Sequence, residues 1–263
     1  MIALESGPDE PTSRDFLSLH LRALPYFRAL LRSVESSYFQ RLPLPRPIYD
    51  VGCGDGQFAA VTFPWQVDVG LDLGRASVRE AKTYGGYRFL VEADGASSPF
   101  RSGSFGSGFS NSALEHVPDL EAVLAETARV LKRDAPFYFS VPNPRYLSEL
   151  SLSRVLGPRY TAWFKRMSRV YHAEEPDFWR TRLQHAGFQL VRWWHYFPPA
   201  SMRVLEWGHY FGIPSLAVRF ITGRWILAPV RWNLRLTERF LRKYASPEPV
   251  DDGAFTFYIT TRC

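Results

Sequence analysis

The chain is short of cysteine, of long apolar runs and, over one stretch, of acidic residues. Two cysteines in 263 residues, Cys53 and Cys263, make no disulfide framework. That excludes a small secreted scaffold held by cross-links and favours a reduced, cytoplasmic compartment. No apolar run approaches the ~20 residues that span a bilayer. No basic-then-apolar segment opens the chain: Met1 to Pro11 is acidic and loop-like, so a secretory leader is not expected. Between residues 197 and 246 only Glu206 and Glu238 stand against eight arginines and lysines. That segment carries a net charge of +6, equal to the net charge of the whole chain. The basicity is therefore local and bears on partners rather than on the fold. What the chain does have is apolar mass. With 46% hydrophobic and 22% charged residues, it can bury a sizeable core as one large domain or one domain with insertions.

The densest signal is Asp50-Val51-Gly52-Cys53-Gly54-Asp55-Gly56-Gln57, between the extended Arg46-Pro47-Ile48-Tyr49 and the apolar Phe58-Ala59-Ala60-Val61. A strand that ends in Gly-x-Gly-x-Gly and enters a helix exposes bare backbone to a ligand, because glycine has no Cβ in the way. The next apolar run, Val67-Asp68-Val69-Gly70-Leu71-Asp72, ends on a carboxylate at a strand tip, where it can accept both hydroxyls of a ribose. These features predict a nucleoside-cofactor pocket. A dinucleotide site wants Gly-x-Gly-x-x-Gly aimed at a pyrophosphate. Here the third glycine comes one residue early, and Asp50 and Asp55 flank the loop. Carboxylates repel a pyrophosphate and suit a cationic ligand.

At this point the chain resembles the class I S-adenosylmethionine-dependent methyltransferases, in the branch that includes quinone-biosynthesis enzymes. Phe89 to Gly95 is similar to the family's third strand, with Asp94 at the adenine amino group. Ser97 to Phe105 is similar to the loop into strand four, and Phe109 to Asp119 to the end of that strand. The likeness covers roughly residues 45–142 well and 174–196 loosely. It implies S-adenosylmethionine as cofactor, with Asp50, Gly52, Cys53, Gly54, Gly56, Asp72, Leu73, Asp94, Gly95 and Asn111 as its binding residues. Gly106 departs from the pattern, standing where many relatives carry aspartate after Ser-Phe; the expected loss is a surface contact.

Strands and helices alternate along the chain: strand 47–52, helix 55–63, strand 67–72, helix 74–84, strands 87–92 and 105–110, helix 119–132, strand 135–141. A helix over 176–187, a strand over 188–196 and a final strand over 255–261 follow. Such alternation predicts an α/β fold, a Rossmann-like, mostly parallel seven-stranded sheet with helices on both faces. By analogy with the family, the last strand lies antiparallel between its neighbours. Residues 1–45 read as an N-terminal helical segment, with helical spacing over 13–42, a kink or break at Pro25 and a cap at Thr12 or Ser13. Residues 46–142 form the cofactor-binding core, 176–196 a core helix and strand six, and 253–263 the last core strand. Two insertions, 143–175 and 197–252, leave from carboxyl ends of strands and are expected to cover the cofactor mouth as a helical cap. Seven of the eight tryptophans fall between 163 and 232. They either fill the cap's own small core or line an apolar pocket for a ring-containing or lipid-like substrate. Residues 225–243 read as an amphipathic helix, with Arg231, Arg235, Arg239 and Arg242 on one stripe and Leu227, Val230, Leu234 and Leu241 on another side. That stripe is a solvated face, a site for an anionic substrate, or a peripheral contact with anionic lipid.

His116, just past strand four, is the candidate base; the same residue could instead order the loop and the next helix. His195, His209 and Tyr210 are weaker candidates. Some O-methyltransferases carry Glu-x-x-Glu-His here and hold a divalent metal. This chain has Ser112-Ala113-Leu114-Glu115-His116, lacks the first carboxylate, and is expected to hold none. The expected activity is methyl transfer to a small apolar or lipid-like molecule. Two alternatives stand beside it. A nucleic-acid (RNA) methyltransferase would use the basic cap, but strand four ends in Ser110-Asn111-Ser112-Ala113 rather than Asn/Asp-Pro-Pro-aromatic, and Val141-Pro142-Asn143-Pro144 follows strand five instead. A non-catalytic S-adenosylmethionine-binding protein would bind without turnover.

Overall fold

The computed structural model describes residues 14–211 and 213–263. Seven strands form one sheet in the order β3-β2-β1-β4-β5-β7-β6. They are β1 (Ile48–Val51), β2 (Val67–Asp72), β3 (Tyr87–Glu92), β4 (Ser107–Asn111), β5 (Pro136–Pro142), β6 (Phe188–Tyr196) and β7 (Phe255–Arg262). All neighbours are parallel except β7, which runs antiparallel to both β5 and β6. The central strands are covered on both faces, and their sequences accordingly read as continuous buried runs rather than alternating ones: every residue of β1 and β4 is buried.

Among the described residues two helices precede the sheet, α1 (Phe16–Leu21) and α2 (Tyr26–Phe39). Pro25 separates them, having no N–H to continue a helix. The Asp15 carboxylate caps α1 by accepting from the Ser18 amide; the expected caps Thr12 and Ser13 lie outside the described residues. The crossover helices are α3 (Gln57–Thr62), α4 (Arg75–Tyr84) and α5 (Leu120–Val130), the last capped by Asp119. One core packs α1, α2 and α3 against one sheet face, with Leu30, Val34, Phe39, Phe109 and Phe257 at its centre. A second packs α5 and α8 (Pro176–His185) against the other, around Leu124, Phe137, Phe139 and Trp179.

Strand four begins two residues later than the sequence suggests. Gly106 passes so close to the linker that a Cβ would lie 2.6 Å from the Arg46 carbonyl oxygen and 2.8 Å from that of Pro45. The glycine is therefore a buried packing requirement, not a lost surface contact.

The first insertion forms α6 (Arg145–Ser148) and α7 (Ser153–Met167), the latter kinked at Gly157-Pro158. The second forms α9 (Pro199–Phe211), α10 (Ile213–Thr222) and α11 (Arg231–Leu241). The helix expected over 225–243 thus starts only at Arg231. Pro229 removes an amide donor and restrains Ala228 from helical geometry. Its faces also differ from the sequence reading: Leu234 and Leu241 are buried, whereas Leu227 and Val230 lie exposed in the preceding loop. Among the described residues no helix is long and apolar enough to cross a membrane.

Candidate functional site

Beyond β1 the chain turns over Gly52, Cys53 and Gly54. The amides of Gly52 and Cys53 both donate to the Leu71 carbonyl at 2.9 Å, which pins the turn to the tip of β2. Gly54 (φ +55°) and Gly56 (φ +75°) hold left-handed backbone that a side chain would strain. A Cβ on Gly54 would meet nothing within 4 Å, so this residue opens onto free space; one on Gly56 would fall 2.7 Å from the Ala81 Cβ. Gly56 therefore serves the close packing of α3 on α4, and Gly54 faces the cleft. Asp72 braces the same turn, its Oδ2 accepting from the Gly54 amide (2.9 Å) and its Oδ1 from Gly74 (2.8 Å). Each oxygen keeps a second lone pair for a ligand hydroxyl.

In front of this turn lies a cleft of about 660 Å³, within the ~300–1,000 Å³ range of small-molecule sites. Gly52, Cys53, Gly54, Asp72, Leu73, Asp94, Gly95 and Asn111 all line it. Leu73 is 72% exposed at its rim, and Asp94 folds one oxygen back to the Ala96 amide. The Asn111 amide is engaged elsewhere, donating to Glu35 and accepting from Ser140, so it serves as wall. Asp50 and Gly56 do not line the cleft. Asp50 is buried behind the turn, where the Tyr87 hydroxyl donates to it at 2.6 Å. Burial pushes its carboxyl up to about 7 despite that bond, and the Asp72 charge adds to the rise. Burial likewise pushes the Cys53 thiol up, so it stays protonated.

A second chamber of about 190 Å³ opens off the cleft. Arg28, Arg32, Ser112 and His116 belong to the walls of both. Its other walls are mostly apolar: Phe27 and Leu31 from α2, Tyr146 and Val170 from the first insertion, Leu205 from α9 and Phe255 from β7. Both insertions thus wall this inner chamber, and among the described residues neither lines the larger cleft. The expectation that they cover the cofactor mouth is corrected accordingly. None of the tryptophans lines either cavity. Trp179 is buried in the core under the sheet, and Trp163, Trp193, Trp207 and Trp232 are 37–77% exposed.

Polar groups at the junction are tied together by Glu35, fully buried on α2. Its carboxylate accepts from Arg32 (2.5 Å), Ser112 (2.8 Å), Tyr196 (3.0 Å) and Asn111 (3.1 Å). Ser112 is held there in left-handed backbone (φ +47°), a strain that needs such over-determination in a non-glycine residue. Arg28 reaches Asp55 at 3.4 Å. Arg28, Arg32 and Glu35 escape a sequence reading that sees α2 only as an apolar helix. The available signal was the four-residue spacing of two arginines within a buried run.

His116 sits in the short 3₁₀ turn Leu114–His116. Its Nδ1 lies 2.9 Å from the Arg169 carbonyl. A carbonyl only accepts, so Nδ1 carries the proton and the neutral ring has a bare Nε2. That nitrogen lies 3.9 Å from Glu115 Oε1. Glu115 is buried, lines the inner chamber, and has no partner for its Oε2 among the described residues. Burial pushes it up to about 7, against the lowering pull of His116 and Arg32. Of the weaker histidine candidates, His209 lines the inner chamber with Nδ1 on the Leu205 carbonyl. His195 lines neither cavity and bonds Thr256 and Asn143. Tyr210 bonds Tyr160. The Pro142-Asn143-Pro144 stretch is a structural turn, Asn143 accepting from the Arg145 amide and donating to the Gly253 carbonyl. Among the described residues no three His, Cys, Asp or Glu side chains converge as a metal cluster.

Residues 49–139 match the family model described as a methyltransferase domain. The malonyl-[acyl-carrier protein] O-methyltransferase of Legionella pneumophila is 33% identical over 139 residues, which is 49% of this chain and 49% of that protein. The match thus spans about half the length of that relative. The enzyme of the same name from Geobacter sulfurreducens is 28% identical over 224 residues, 80% of this chain and 79% of its own. Among solved structures, a methyltransferase from Thermotoga maritima superposes with a TM-score of 0.56 at 17% identity, covering 94% of this chain and 93% of that one. This last likeness establishes the fold alone.

Proposed function

We propose that this chain, a class I S-adenosylmethionine-dependent methyltransferase, methylates an oxygen of a small, apolar or lipid-like acceptor held in the inner chamber. The observation that carries the reading is the junction of two cavities: a glycine-floored cleft with a ribose-ready carboxylate, and a mostly apolar chamber that meets it at Arg28, Arg32, Ser112 and His116. The oxygen acceptor and the lipid-like character are supported by the two relatives, whose names give O-methylation of a malonyl group on an acyl carrier.

The cleft fits the cofactor. Free space in front of Gly54 admits a ligand against bare backbone, Asp72 has lone pairs for the ribose, and Leu73 and Asp94 flank the adenine position. Arg28 and Arg32, at the loop end, are the cations for its carboxylate. When bound, the cofactor supplies an electrophilic methyl group on a sulfonium. The chain's own contribution is position and dryness. Apolar walls exclude water, and a near-attack arrangement of donor and acceptor can lower the barrier by roughly 7–11 kcal/mol. His116 Nε2, bare of its proton, takes the proton of a hydroxyl acceptor, and Glu115 stabilises the imidazolium that results. A carboxylate acceptor needs no such step.

The test has two parts. Calorimetry with S-adenosylhomocysteine should show binding that Asp72→Ala weakens by roughly 1.5–3 kcal/mol, the range for hydrogen bonds to a charged group. Unchanged affinity would move the ribose contact elsewhere. A labelled-methyl screen should then find transfer to acyl thioesters or hydroxylated apolar molecules but not to RNA. Leu205→Arg, which puts a charge into the inner chamber, should abolish that transfer and leave cofactor binding intact; retained turnover removes the chamber from the reading.

A further inference from the structure

The outer face of the second insertion has no role in either cavity, and its composition is unusual for a solvated surface. On α11, Trp232, Leu236 and Phe240 are spaced four apart and are 77%, 81% and 49% exposed. On α10, Leu216, Phe220 and Ile221 also point outward, Phe220 at 93%, and Leu227 lies exposed in the connecting loop. Large apolar side chains in this density mark an interaction surface. Interleaved with them are the exposed cations Arg235, Arg239 and Lys243 on or just beyond α11, and Arg224 in the loop. Arg235, Arg239, Lys243 and the apolar stripe share one side of the helical wheel, opposite the buried Leu234 and Leu241. Among the described residues, the ion pairs of this segment join Arg219 to Glu80 and Arg242 to Asp15 and Glu238. Arg224, Arg235, Arg239 and Lys243 are exposed and have no carboxylate partner among the described residues. The one acidic residue of α11 is thus turned to Arg242, and the outward face carries charge of one sign.

We propose that α10, α11 and the loop between them form a docking surface for an anionic lipid bilayer. The apolar side chains would enter the acyl boundary, the tryptophan ring would sit at the headgroup level, and the arginines and lysine would snorkel to lipid phosphates. Charge decides between occupants. A second copy of the chain packed on this face would bring cation against cation. Phe220, Leu236 and Trp232 are 77–93% exposed and protrude, which suits a fluid bilayer better than a shaped protein partner, whereas Phe240 turns toward a hollow it shares with Trp207 and Phe211. This surface differs from the sequence expectation for 225–243: it adds α10 and depends on an apolar stripe that the arginine spacing alone did not show. It stands independently of the acceptor's identity.

Full-length protein should co-float with phosphatidylcholine vesicles that contain phosphatidylglycerol. Binding should weaken by about tenfold or more on pure phosphatidylcholine and at high salt, each basic residue at the surface contributing about fivefold. Phe220→Ser with Trp232→Ser and Leu236→Ser should abolish co-flotation. Arg235→Glu with Arg239→Glu should abolish it too, and both variants should keep the parent's thermal unfolding and its calorimetric affinity for S-adenosylhomocysteine. Failure of the folded parent to bind anionic vesicles overturns the proposal, as does binding that neither variant changes. A concentration-dependent dimer lost in Trp232→Ser, or capture by polyglutamate in place of vesicles, would also overturn it and identify the other occupant.

Discussion

At Gly54 a single hydrogen atom keeps the cleft open. The backbone there is left-handed (φ +55°) and a Cβ would project into the free space above the turn. Gly54→Val adds both steric bulk at the binding surface and a β-branched residue in a conformation it avoids. Calorimetry with S-adenosylhomocysteine should show affinity lost by about 100-fold or more, and intact affinity would reject the assignment of the turn. Gly56→Ala should behave differently, costing about 1–3 kcal/mol in urea unfolding through its clash with Ala81. The sequence motif showed both glycines alike because it records which positions are bare, not what approaches them. The same blindness applies to Asp50, whose place in the motif suggests contact with ligand although its carboxylate turns back to Tyr87. It applies in reverse to Arg28 and Arg32, which reach the site from α2, the helix just before β1, where they read as surface charges on an apolar helix. At His116 the prediction is kinetic. His116→Ala should lower kcat more than KM for a hydroxyl acceptor, whereas His209→Ala, further from the cleft, should spare kcat. Equal turnover in His116→Ala would leave that histidine as a tie to the Arg169 carbonyl.

Among elements, β5 was legible because burial on both faces writes itself as an apolar run, whereas buried β4 has Phe109 as its one large apolar residue and the edge strands β3 and β6 are largely exposed; Pro25 marked the break between α1 and α2. The cap was legible only as surplus length. What joins its two halves is Glu206, which the sequence presents as one of two acids in a basic segment. It is fully buried and accepts from the Ser151 amide and hydroxyl (both 2.6 Å), the Leu152 amide (3.2 Å) and the Tyr160 hydroxyl (2.7 Å). The carboxylate thereby clamps the start of α7 onto α9. Gly208, one residue from the clamp's next-door neighbour Trp207, lets α9 press onto α2, since a Cβ there would fall 2.3 Å from the Phe27 Cβ. Partners 46 to 55 residues apart leave no local pattern to read. Glu206→Ala should strand buried donors and cost about 3 kcal/mol. Hydrogen exchange should report faster opening of 145–167 and 199–211, with the 46–142 core unchanged. Methyl transfer should fall while cofactor affinity holds. Uniform loss of protection across the sheet would show that the cap is not a separate cooperative unit.

For the molecule as a whole, buried titratable groups set opposing pH trends. His20 bridges α1, α2 and α3 through Gln57 and Ser36, and burial pushes it down to about 3. Its contribution is fully present above its unfolded value near 6.5 and is lost as pH falls toward 3, up to about 5 kcal/mol in total. Asp50 and Glu115 are both pushed up to about 7 by burial. Their contribution is fully present below about 4 and is lost as pH rises through 7, up to about 3 kcal/mol for Glu115. Two carboxyls outweigh one imidazole, so urea unfolding of the parent should show a net gain of about 2 kcal/mol on acidification from pH 6.5 to 4.5. His20→Gln should gain about twice as much over that window, and Glu115→Gln should exceed the parent at pH 8 but not at pH 4. On the proposed function the cofactor would join this balance, because a sulfonium held at the junction of the two cavities would favour the charged forms of Glu115, in the chamber wall, and of Asp50, behind the turn. At pH 7, S-adenosylmethionine should release protons on binding, seen as a calorimetric heat that depends on buffer ionisation enthalpy. The uncharged sulfide of S-adenosylhomocysteine should release fewer, and Glu115→Gln should reduce the difference. Equal release by the two ligands would mean that the donor's positive charge does not reach these carboxyls, and the cation-selective reading of the cleft would fail with it.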